Sequence, residues 1–117
     1  MATYSVYYMK AEFFRKGVMG YDWLRGKNLL PDSADLSKTH VFLKLVEARN
    51  PEDAYFQMQG ESWSPTGEAR EFVARKGVQH TSMSVGDIVL DHASRGAFIL
   101  DRMGFRFLGS VTKPNEC

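Results

Sequence analysis

Cysteine occurs once, as Cys117, the last of 117 residues. That excludes an internal disulfide framework and a zinc site built on cysteine, and it suits a reducing cytoplasm. No apolar run approaches the roughly 20 residues that span a bilayer. The opening MATYSVYYMK lacks the basic-then-apolar order of a signal peptide. Excess charge is missing too: fifteen Lys and Arg against fourteen Asp and Glu leave +1. No global field therefore draws the chain to nucleic acid or to an anionic membrane. Gly60, Gly67 and Gly86 are too scattered to cradle a phosphate, and no dinucleotide fingerprint occurs. Together these absences predict a soluble, cytoplasmic protein with no membrane association and no cofactor.

What is present is an ordinary globular composition, 44% hydrophobic and 25% charged, in a chain of one domain's length. Such a chain buries about two thirds of its unfolded surface in a single core. Aromatics at 13% favour a core containing sheet, whose faces accept flat side chains. The expected fold is α+β: one domain over 1–112, with a frayed polar tail at 113–117. It comprises two N-terminal strands, a pair of short helices and a C-terminal three-stranded meander, in one largely antiparallel sheet.

The elements follow from local grammar. Thr3 to Met9 reads as a strand covered on both faces, with Tyr4, Val6 and Tyr8 opposite Ser5, Tyr7 and Met9. Lys10 to Lys16 reads as a helical turn anchored by Phe13 and Phe14. Tyr21 to Lys38 holds no period for long and reads as a loop. Thr39 to Ala48 is a strand with Val41, Leu43 and Leu45 on one face. Asn50-Pro51 caps and opens a helix that Gly60 ends, and Ser64-Pro65 opens a second that Gly77 closes. After Val78 the chain turns to sheet: Val85 to Leu90, broken at Gly86-Asp87, then Ala97 to Leu100 and Phe105 to Leu108.

The chain is organised around Ala54 to Asp87, which holds Trp63, MQGESWSPTGEAR and GVQHTSMSVGD. Candidate contact residues in its first half are Glu61, Trp63, Glu68 and Arg70. In its second half they are His80, Ser82, Ser84 and Asp87. Their polar and aromatic content exceeds what turn chemistry requires. Other chemistry fits less well. His40, His80 and His92 match no metal spacing, although His80, Asp87 and His92 could converge in space. A hydrolase built on Ser82 or Ser84 with His80 and Asp87 lacks a GxSxG elbow. Basic and aromatic residues interleave at Arg102, Phe105, Arg106 and Phe107, together with Phe13, Phe14, Arg15 and Lys16, a pattern that grips single strands but also arises on any amphipathic strand. No catalytic residue and no metal ligand is assigned.

Over Met58 to Arg70 and His80 to Val89 the sequence resembles small uncharacterised accessory proteins encoded on phages, plasmids and bacterial genomes. The likeness runs from Thr39 onward and includes the Gly104-Phe105 segment. It implies a compact protein of mobile-element origin that acts by binding a host or phage protein, for example as an inhibitor of a defence nuclease. The expectation is a non-enzymatic binding protein. A nucleic-acid-binding module is the alternative reading, and a small enzyme using His80 and Asp87 is the third.

Overall fold

The computed structural model describes residues 1–111, and the tail expected at 113–117 lies outside the described residues. The fold is α+β. Five strands, β1 (Ala2–Met9), β2 (His40–Ala48), β3 (Ile88–Asp91), β4 (Gly96–Asp101) and β5 (Gly104–Ser110), form one sheet. Its order is β2-β1-β3-β4-β5, and every neighbouring pair is antiparallel. The first strand is thus interior, between β2 and β3, and the last three form the expected meander, docked against it through β3.

Alternation along β1 explains the two-layered core. Tyr4, Val6 and Tyr8 pack against Ala54 of α3 (Pro51–Gln57), Met58 just past its end, Trp63 of α4 (Gly60–Trp63) and Val73 of α5 (Ala69–Arg75). On the reverse face, Tyr7 joins Ile88, Leu90 and Ile99 beneath Leu24 of α2 (Tyr21–Gly26) and Leu36 of a short 3-10 turn. Each fully buried aliphatic of this kind contributes about 2 kcal/mol.

The α3 helix starts as the sequence expects. Asn50 Oδ1 accepts Asp53 N–H at 2.8 Å, and Asp53 Oδ2 accepts Arg49 N–H at 2.9 Å, a reciprocal cap around Pro51. Closure of α5 is also as expected. Gly77 takes φ +82°, and Val78 N–H reaches back to Val73 O at 3.0 Å, the left-handed C-terminal motif.

Five expectations are corrected. Tyr21 to Lys38 is not all loop: it contains α2, whose first amide, Tyr21 N–H, is received by Asp101 Oδ1 at 3.1 Å. A cap supplied from the far end of the chain leaves no local trace. The residues 60–63 that were to separate two helices form α4, a single turn begun rather than ended by Gly60. The helix expected from Pro65 starts at Ala69, yet Ser64 Oγ still accepts Ala69 N–H at 2.7 Å. Leu45 does not share a buried face with Leu43. The β1–β2 register shifts between Val6 and Tyr7, leaving Leu43 as an extra residue, so Leu43, Val46 and Ala48 are buried while Leu45 is 51% exposed. A bulge of one residue exchanges the faces of everything beyond it. Finally, 78–87 is a loop, and β3 begins only at Ile88.

Candidate functional site

The stretch singled out in the sequence folds onto itself beside the end of β1. Gly60 N–H donates to Ser82 Oγ at 2.7 Å, and the Trp63 indole N–H donates to Thr81 O at 2.9 Å. Met83 N–H returns to Met58 O at 3.1 Å. These bonds fasten α4 to the Thr81–Ser84 turn, so the two motifs are spatial neighbours.

Beneath the turn lies a buried polar cluster centred on Asp87, which is fully enclosed. Asp87 Oδ1 accepts Met9 N–H at 2.8 Å, and Oδ2 accepts Ser84 N–H at 2.9 Å and His80 Nε2–H at 2.7 Å. One carboxylate thereby joins the end of β1, the turn and the imidazole. Such charge-assisted bonds are about twice as strong as neutral ones. His80 is held on its faces as well, stacked on Tyr8 at 4.7 Å with rings 9° apart and covered by Phe14 at 4.4 Å. Its Nδ1 is buried and has no hydrogen-bond partner among the described residues.

Tyr8 completes the cluster. Its hydroxyl donates to Met58 O at 3.1 Å and Thr81 O at 2.9 Å. Burial, and after it the Asp87 charge, push the phenol far above its ordinary value, so Tyr8 is a permanent donor here. His40 closes the back, with Nε2 donating to Gly86 O at 2.7 Å and Nδ1 receiving the Thr39 hydroxyl at 2.7 Å. Burial holds His40 below its usual value, outweighing the Gly86 carbonyl and Asp87, which is the neutral tautomer this network requires. Gly86 itself has φ +102°, and a Cβ there would stand 3.1 Å from the Gly17 backbone at the end of α1 (Ala11–Gly17). Only glycine lets helix and turn approach so closely.

Above the turn the surface is open. A cleft of about 320 Å³ is lined by Gly60, Glu61, Ser64, Arg70, Thr81 and Ser82, with Pro65 and Gly67 at its rim. Glu61 and Arg70 are exposed and form no ion pair among the described residues. Glu68 is exposed too, its carboxylate taking the Thr66 hydroxyl, which holds it below the ordinary range. On the other side of the turn, Ser84 and Val85 line a larger groove of about 580 Å³ together with Phe14, Tyr55, Phe56 and Phe105. The serine-methionine-serine turn is the ridge between the two hollows.

The eight sequence candidates therefore separate by depth. Glu61, Glu68 and Arg70 face solvent, whereas Trp63 and Ser82 are half-buried at the joint. Ser84 Oγ donates to Ser82 O at 3.0 Å, shaping the turn. His80 and Asp87 lie inside and hold the surface from below. The serine-hydrolase constellation is not assembled, because neither hydroxyl bonds His80. The set His80, Asp87 and His92 does not converge either. His92 bonds Ser5 at 2.5 Å near the start of β1, whereas Asp87 bonds Met9 at its end. Among the described residues no three His, Cys, Asp or Glu side chains gather as a metal site. Arg106 is committed to Asp22, Asp101 and the face of Tyr21, which removes it from the basic stripe. Sequence reasoning missed the groove, because its walls come from α1, α3 and the β4–β5 turn, and Phe14 and Phe56 each read locally as ordinary anchors.

The chain matches no protein-family model, no curated protein and no solved structure. No helix among the described residues is long and apolar enough to cross a membrane.

Proposed function

We propose that the protein is a non-enzymatic binding module whose contact surface is the polar cleft between α4, the start of α5 and the Thr81–Ser84 turn. The observation that carries this reading is the pairing of a rigid floor with a free rim. Asp87, Tyr8 and the Gly60–Ser82 and Trp63–Thr81 bonds lock the turn, while the Glu61 and Arg70 side chains reach solvent with no ion pair among the described residues. Charged side chains held on a pre-ordered backbone bind with little ordering cost and confer orientation as well as attraction. The fitting partner is a protein surface that offers both a base and an acid. The resemblance noted in the sequence favours host machinery, a defence nuclease among the candidates, and the single cysteine suits a cytoplasmic setting.

The test is affinity capture from a native host with the full chain, read by mass spectrometry against Glu61→Ala and Arg70→Ala. One defined protein should be retained by the wild type and lost by both folded variants. Retention unchanged in both variants removes the cleft from the contact. Salt-sensitive retention on single-stranded nucleic acid that both variants retain would favour the nucleic-acid reading instead.

A further inference from the structure

The larger groove has a different character, and the inference drawn from it does not rest on the polar cleft. Its floor and walls are apolar, with Phe14, Val18, Tyr55, Phe56, Leu100 and Phe105 as the principal side chains. Large apolar side chains stand beside it in water: Phe56 is 66% exposed, and Met103, in the β4–β5 turn, is 96% exposed. A contiguous apolar patch of this kind on a small domain marks an association site.

The charges on the rim narrow the occupant. Glu52, Asp101 and Arg102 line the groove. Asp101 is already engaged by Tyr21 N–H at 3.1 Å and Arg106 at 3.4 Å. Glu52 and Arg102 are exposed and form no ion pair among the described residues. One free anion and one free cation on a single apolar rim form a self-complementary pattern. A two-fold axis sets each copy's Glu52 against the other's Arg102, making two ion pairs from one pair of residues. A nucleic acid or an anionic lipid surface would meet Glu52 and Asp101 as repulsion.

We propose that this groove is the interface of a two-fold homodimer. In the dimer Met103 and Phe56 of each copy lie against the apolar wall of the other, with the flexible thioether filling what the rings leave. The polar cleft, on the far side of the serine-methionine-serine ridge, shares no lining residue with this interface.

Sedimentation equilibrium of the full chain, from low micromolar to sub-millimolar concentration, tests the proposal. The wild type should dimerise reversibly. Glu52→Arg and Arg102→Glu should each weaken the dimer by roughly tenfold or more, since each places like charges together at both pairs. The double variant E52R/R102E should recover it. Circular dichroism checks each fold. Should the reversal in the first turn of α3 unfold the helix, Glu52→Gln and Arg102→Gln serve instead, each weakening the dimer by roughly threefold. A wild type that stays monomeric throughout overturns the proposal, as does a dimer indifferent to both single reversals, or a double variant that stays as weak as the singles. A monomer whose groove resonances shift on addition of an amphipathic peptide would assign the groove to another chain and overturn it equally.

Discussion

Asp87 and Arg70 belong to the same polar stretch and meet water in opposite ways. Asp87 is fully enclosed, with its carboxylate shared among two backbone amides and an imidazole. Arg70 is exposed at the lip of a cleft, and its side chain forms no ion pair among the described residues. The difference teaches that a run of polar residues in a small domain can divide into a buried layer and an exposed one. The lower layer replaces water for backbone groups that the turn takes out of the sheet ladder, and the upper layer stays in solvent. Substitutions should therefore split by depth, with stability lost below and recognition lost above.

The sharpest separation is expected at Asp87. Asp87→Ala strands the Met9 and Ser84 amides and the His80 Nε2–H in a site closed to water, and each orphaned donor carries its own desolvation cost. The expected loss is about 4 kcal/mol, a large share of a small domain's stability, measured by urea unfolding. A loss below about 1 kcal/mol would mean that the carboxylate does not hold the turn. Gly86→Ala comes next, at about 3 kcal/mol, because a positive φ and contact with the Gly17 backbone act together. Gly77→Ala supplies the comparison: its φ is also positive, but nothing lies within 4 Å of the added Cβ, so about 1 kcal/mol is expected. Equal losses at the two glycines would show that the close approach of α1 and the turn contributes nothing.

The same layer should make stability depend on pH through His40. Burial depresses its folded-state value below the ordinary imidazole value of about 6.5. The unfolded chain therefore takes up a proton near that pH while the folded chain refuses it. Stability is complete above this value and falls as the pH drops toward the folded-state value. The slope approaches about 1.4 kcal/mol per pH unit for one proton. His40→Gln should flatten the difference in unfolding free energy between neutral and mildly acidic buffer. An unchanged slope in that variant would place the acid sensitivity elsewhere.

Legibility followed the sequence distance over which each determinant acts. Asn50 bonding Asp53, and Gly77 closing α5, are settled within a turn of chain, and both could be read directly. The alternation of Tyr4, Val6 and Tyr8 against Ser5 and Tyr7 likewise announced a strand covered on both sides. What escaped was set from afar. The start of α2 depends on Asp101, the exposure of Leu45 depends on a bulge against β1, and the burial of Asp87 depends on Met9. At the candidate site, residue types marked a stretch whose two halves fold together, but not the depth of each member. An aspartate is by default a surface residue, and only the converging amides overturn that default. The aromatic groove stayed hidden because it belongs to three separate elements.

The smallest effects on stability are expected on the upper layer, where they are also most informative. Glu61→Ala and Arg70→Ala remove side chains with no ion pair among the described residues, so unfolding free energies should stay within about 0.5 kcal/mol of wild type. Trp63→Phe lies between the layers. It keeps most of the ring packed edge-on to Tyr8 at 6.5 Å but loses the indole bond to Thr81 O, for about 1 kcal/mol. If Arg70→Ala proved as damaging as Trp63→Phe, the arginine would be part of the scaffold, and the rim would have nothing free to offer a partner. If instead the arginine variant kept full stability while amide exchange at Thr81–Ser84 stayed as slow as in wild type, the turn would be rigid without it. Any change in binding could then be attributed to the guanidinium itself, since the backbone that carries it would be unchanged.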